Sequence, residues 1–74
     1  MDTNEERIRR LGATIARLRE QEGISQAVLT RMLGYSSHSH LSRIENGEKA
    51  PSIVALFNIA DALDVDVKYF FTDL

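Results

Sequence analysis

Between Gly23 and Gly47 the chain leaves room for little but short helices. Gly23-Ile24-Ser25-Gln26, then Leu33-Gly34, then Leu41-Ser42-Arg43-Ile44-Glu45-Asn46-Gly47 alternate helix starts with helix stops. A serine hydroxyl can accept from a free N–H of the first turn, and a glycine can adopt the left-handed turn that closes the last one. Ser25 therefore caps a helix in which Leu29, Met32 and Leu33 face inward and which Gly34 ends. After Ser36-Ser37 another helix begins, capped by Ser37. Leu41 and Ile44 are its only strongly apolar residues, so most of its surface faces solvent or a ligand. His38, Ser39, Ser42 and Arg43 stand on that outer side.

The flanking segments read as scaffold. Ile8, Leu11, Ile15 and Leu18 share one face of a helix from about Glu5 to Glu22, with Glu5 and Glu6 at its dipole-favoured start and Gly23 at its left-handed stop. Glu48-Lys49-Ala50-Pro51 forms a loop, and Ser52 caps a fourth helix whose broad apolar face is Ile53, Leu56, Phe57, Ile59, Ala60 and Leu63. Asp66 caps a last short helix through Lys68 to Thr72, with Val65, Val67, Phe70 and Phe71 available for burial. Nothing alternates as a strand does, and there is no repeat or linker. The expectation is an all-α single domain over residues 1–74 with five helices and a thin core, since a chain of 74 residues buries little surface.

Two short helices about a glycine turn, the second with a hydrogen-bonding outer face, make a helix-turn-helix over about residues 25–46, the layout that presents its second helix to the DNA major groove. Net charge argues the other way: nine Lys+Arg against eleven Asp+Glu give −2, and DNA-binding domains are usually basic. The distribution resolves this. Residues 1–22 sum to 0, residues 45–60 to −1 and residues 61–74 to −3, whereas residues 23–44 hold Arg31 and Arg43 and no acid, for +2. This acid-free segment covers the reading unit up to Glu45.

The residues resemble the Cro/C1-type (XRE-like) helix-turn-helix regulators of bacteria, phages and plasmids. The resemblance spans about residues 11–71 and rests on Leu18-Arg19, Gly23-Ile24-Ser25-Gln26, Leu29, Gly34, Leu41 through Gly47, Pro51-Ser52 and Ile59-Ala60-Asp61-Ala62-Leu63 in this order. It implies a compact five-helix, lambda-repressor-like domain whose third helix reads bases. Two features depart from the family pattern. The segment between Gly34 and Glu45 is one residue longer than the commonest spacing, absorbed in Tyr35-Ser36-Ser37, which leaves the register of the third helix open by one position. Thr30 stands where the family usually has alanine, and its hydroxyl is expected to bond back onto its own helix.

Arg43 on the outer face suits bidentate hydrogen bonding to guanine O6 and N7. His38, Ser39 and Ser42 complete the base-facing candidates. Phosphate candidates are Gln26, Ser37, His40, Asn46 and Lys49; the resemblance gives Gln26 the further role of bracing the third helix, and a helix N-terminus favours an anion. The alternative for each of these polar residues is a plain solvated surface position. Protonated histidine beside phosphate gains a contact that neutral imidazole lacks, so binding is expected to tighten towards pH about 6. Arg19 and Glu45 are implied by the resemblance to form a partly buried structural ion pair between the first helix and the end of the third.

No cysteine is present, and His38 and His40 point about 200° apart on a helix, so no metal and no cofactor are expected. There is no glycine-rich phosphate loop or nucleophile motif, which argues against an enzyme and against a small-molecule ligand. No apolar run matches a membrane span, and Met1-Asp2-Thr3-Asn4-Glu5-Glu6 lacks a signal-peptide profile; a cytoplasmic protein is expected. Residues 53–74 are expected to dimerise through Val65, Val67, Phe70 and Phe71, giving a homodimer on a palindromic operator. The expected function is a transcriptional regulator, either a phage or plasmid repressor or a restriction–modification controller, with double-stranded DNA as partner and RNA polymerase as a further candidate. The competing reading is an antitoxin or adaptor that uses the same fold to bind protein, which the negative net charge and lysine-poor third helix favour.

Overall fold

The computed structural model describes residues 2–72 and 74, and among these it contains four α-helices and one 3-10 helix: α1 Asn4–Gln21, α2 Gln26–Met32, α3 His38–Glu45, α4 Ile53–Leu63 and the 3-10 helix Val67–Phe71. No described residue is in a strand. The fifth α-helix of the sequence reading is thus a 3-10 turn. Its residues explain this: Phe70 is buried and Val67 partly so, and residues three apart line up on one side of a 3-10 helix.

Side-chain caps start every element. Thr3 and Glu6 form a reciprocal capping box at α1, one residue ahead of the expected start, while Ser25, Ser37, Ser52 and Asp66 each accept a backbone N–H at the next four. Gly34 and Gly47, with φ of +75° and +77°, end α2 and α3 in the left-handed conformation, which returns Tyr35 N–H to Thr30 O and Glu48 N–H to Arg43 O. At the end of α4 this place is taken by Asp64, φ 56°, a residue type that tolerates αL better than most.

α3 packs against both α1 and α2, while α1, α4 and the 3-10 helix close the other side. Ile15, Leu29, Leu41, Ile44, Ile59, Leu63 and Phe70 are the fully buried side chains between them. Two expectations about burial fail. Met32 is exposed, because α2 turns Leu29 and Thr30 inward instead. Ile53 and Phe57 are also exposed, because α4 buries only the stripe Leu56, Ile59, Ala60 and Leu63. Thr30 is 4% exposed, and its Oγ1 has no hydrogen-bond partner, so the expected bond back to its helix is not made.

One contact sets the position of α3. A Cβ added at Gly12 would lie 2.2 Å from the carbonyl oxygen of Ile44 and 2.8 Å from that of Glu45. The backbone of α1 therefore presses directly on the last turn of α3, and only glycine allows it.

Candidate nucleic-acid interface

A polar network bolts the inner side of α3 to the rest of the molecule. Arg19 Nε donates to Glu45 Oε2 at 2.8 Å and Arg19 Nη2 to Glu45 Oε1 at 3.1 Å, a bidentate pair. Arg19 Nη1 donates to the Ile24 carbonyl at 2.8 Å, in the turn before α2. Gln26 Nε2, in the first turn of α2, donates to Glu45 Oε1 at 2.8 Å. The Arg19–Glu45 pair so joins α1, the α1–α2 turn, α2 and α3. The side chains of Arg19 and Glu45 are only 13% and 4% exposed, too little to reach a ligand. The hydrogen bond from Arg19 to Glu45 raises the Arg19 pKa above its ordinary value, against the lowering effect of burial.

The opposite side of α3 is open. The side chains of His38 and Arg43 are exposed and have no hydrogen-bond or ion-pair partner among the described residues. Ser39 and Ser42 lie on the same face, but their hydroxyls are engaged: Ser39 Oγ shares a hydrogen bond with Ser37 Oγ at 2.8 Å, and Ser42 Oγ accepts from Asn46 Nδ2 at 3.5 Å. Ser37 also caps the helix by accepting from Ser39 N–H at 3.2 Å. The structure thus brings His38, Ser39, Ser42, Arg43 and Asn46 together on one helical face, with Ser37 at its start.

His40 leaves that face. It is half-buried, its ring meets the Tyr35 ring edge-on with centroids 4.5 Å apart, and its Nδ1 lies 3.5 Å from Lys49 Nζ. An ammonium donating to Nδ1 requires that nitrogen to be unprotonated, so a proton there would face Lys49. Gln26 is already committed to Glu45 through one N–H, which leaves its carbonyl and second N–H.

Of the tail residues, Phe70 is 1% exposed and belongs to the core of the chain, and Val65 and Val67 are half-buried against it. The reason is that the 3-10 helix covers α1 and α4. Exposed apolar side chains are instead Ile53, Val54 and Phe57 on α4, with Tyr69 and Phe71 on the 3-10 helix. Ile53 and Phe57 are core in the sequence analysis, which gives Val54 no role of its own. A helix written apolar on both sides, as Ile53-Val54-Ala55-Leu56-Phe57 is, was the signal available for them.

The described residues include no group of three or more His, Cys, Asp or Glu that could hold a metal ion, and no helix long and apolar enough to cross a membrane.

Comparison with known proteins places the fold in a family. The helix-turn-helix family model HTH_3 matches residues 15–70. The chain is 34% identical over 55 residues to an uncharacterized HTH-type transcriptional regulator, y4dJ, of Sinorhizobium fredii, covering 74% of this chain and 70% of that protein. It is 29% identical over 62 residues to the HTH-type transcriptional regulator PrpR of Mycobacterium tuberculosis, across 84% of this chain and 13% of that much longer protein. Among solved structures, the restriction-modification controller protein C.AhdI from Aeromonas hydrophila superposes with a TM-score of 0.81 at 28% identity, over 86% of this chain and 96% of that one. An HTH_3 family transcriptional regulator from Vibrio cholerae superposes with a TM-score of 0.83 at 28% identity, over 96% of this chain and 39% of that one.

Proposed function

The chain belongs to the helix-turn-helix family HTH_3, and from that premise we propose that it is a transcriptional regulator that binds double-stranded DNA sequence-specifically, as a homodimer on a palindromic operator, with α3 in the major groove. The observation that carries this reading is the division of α3 into two sides. Leu41, Ile44 and Glu45 are buried and locked, while His38 and Arg43 project from the other side with no partner of their own. A rigid helix with unsatisfied donors on its free face is what base readout demands, because loose donors lose their preference for one base edge.

Arg43 reads bases in this proposal, with His38, Ser39 and Ser42; Ser37, Gln26, His40, Asn46 and Lys49 contact phosphates. Arg19 and Glu45 hold the helix. Dimerisation uses Ile53, Val54 and Phe57 with Phe71 and the partly exposed Val65 and Val67, since exposed apolar clusters of this kind mark association surfaces. Similarity to C.AhdI along nearly its whole length favours the restriction–modification controller over a phage or plasmid repressor.

The test is binding to the DNA upstream of the protein's own gene across a salt series, with random duplex as competitor. Salt-sensitive binding that survives competition and disappears in Arg43→Ala supports the proposal. A folded protein that binds no duplex overturns it in favour of a protein-interaction module, the reading that the net charge of −2 supports.

A further inference from the structure

We infer that Arg9, on α1, is a phosphate-contacting residue that extends the DNA surface beyond the helix-turn-helix. The inference rests on the reading of α3 as the DNA-facing helix. A Cβ added at Gly47 would lie 2.5 Å from Arg9 Cγ and 2.8 Å from Arg9 Cα, so the stem of Arg9 lies directly against the turn that leaves α3. That turn carries Asn46 and Lys49, and it folds back on α3 through Glu48 N–H to Arg43 O at 2.8 Å. Arg9 is thereby set beside residues that follow the reading helix, although it is remote from them in sequence.

Its neighbours on α1 are already used. Arg7 Nη1 donates to Asn4 Oδ1 at 3.1 Å, and Arg10 Nη2 pairs with Asp2 Oδ2 at 2.6 Å. The Arg9 side chain is exposed and has no hydrogen-bond or ion-pair partner among the described residues, Glu48 of the same turn included. The Arg9 backbone is seated close by: Gly12, three residues on, is the point at which α1 presses against the Ile44 and Glu45 carbonyls. A free guanidinium on a stem seated at the edge of a DNA-facing surface suits a phosphate oxygen, which it can meet with parallel N–H donors. It carries no sequence information and serves to set register.

The experiment measures operator binding against salt for the full chain and for Arg9→Gln, Arg9→Lys and Arg7→Gln, each checked for folding by thermal melting. Each phosphate contact contributes about −0.9 to the slope of log K against log salt. Arg9→Gln is expected to reduce the slope by about one per bound chain and to weaken specific and random duplexes alike, while Arg9→Lys keeps the slope and Arg7→Gln leaves it unchanged. A wild-type slope in Arg9→Gln, or an equal loss in Arg7→Gln, overturns the assignment. Absence of salt-dependent binding by the wild-type protein instead removes the regulator reading itself.

Discussion

Arg19 of α1 grips both carboxylate oxygens of Glu45 at the end of α3, at 2.8 and 3.1 Å. The same carboxylate takes a third hydrogen bond from Gln26, so every element that precedes α3 is tied to its last turn. Presentation of the outer face of α3 depends on this inner junction.

Removing one partner leaves the other charge stranded. Glu45→Ala is expected to cost about 3 kcal/mol, a large share of the stability of so small a domain. The expected result is a melting temperature lower by well over 10 °C, at about 4–8 °C per kcal/mol, with DNA binding lost through unfolding. A variant that melts as wild type does but fails to bind would contradict this.

Gly12→Ala ordinarily favours a helix by about 1 kcal/mol. Here the new methyl meets the Ile44 carbonyl oxygen at 2.2 Å, and overpacking of this kind costs about 1–3 kcal/mol. Net destabilisation is expected in denaturant titrations, together with weaker DNA binding from a displaced α3. A midpoint above that of wild type would show that α1 and α3 do not press together there.

Thr30→Val replaces a buried hydroxyl that has no partner with a methyl of similar shape. Relief of the unsatisfied group is expected to stabilise the protein by about 1 kcal/mol. The denaturant midpoint should rise with an unchanged m-value; a lower midpoint would mean that the hydroxyl finds a partner.

Val54 and Phe57 are exposed in the single chain, so Val54→Glu with Phe57→Glu should leave it folded. Sedimentation is expected to show a dimer for wild type and a monomer for the double variant, with weakened operator binding. Wild-type protein that stays monomeric both free and on DNA would eliminate the proposed interface.

Much of this molecule is written locally. Ser25, Ser37, Ser52 and Asp66 mark helix starts, and Gly34 and Gly47 mark stops, because capping and left-handed turns involve only residues a few positions apart. The division of α3 into a buried and a free face follows from Leu41 and Ile44, the only strongly apolar residues it contains. The Arg19–Glu45 pair entered the sequence reading through family likeness, since nothing in the spacing of two residues so far apart brings them together.

Local chemistry along the chain is thus enough for the order of the helices, for the caps at Ser25, Ser37, Ser52 and Asp66, and for the free polar side of α3. Packing in three dimensions settles the rest: Thr30 lies inward and Met32, Ile53 and Phe57 outward, Phe70 is internal, and Arg9 lies on the turn after α3. Burial depends on which faces meet. Here the meeting is set by an approach of two backbones at Gly12, a contact between residues distant in the chain that leaves no periodic trace in it.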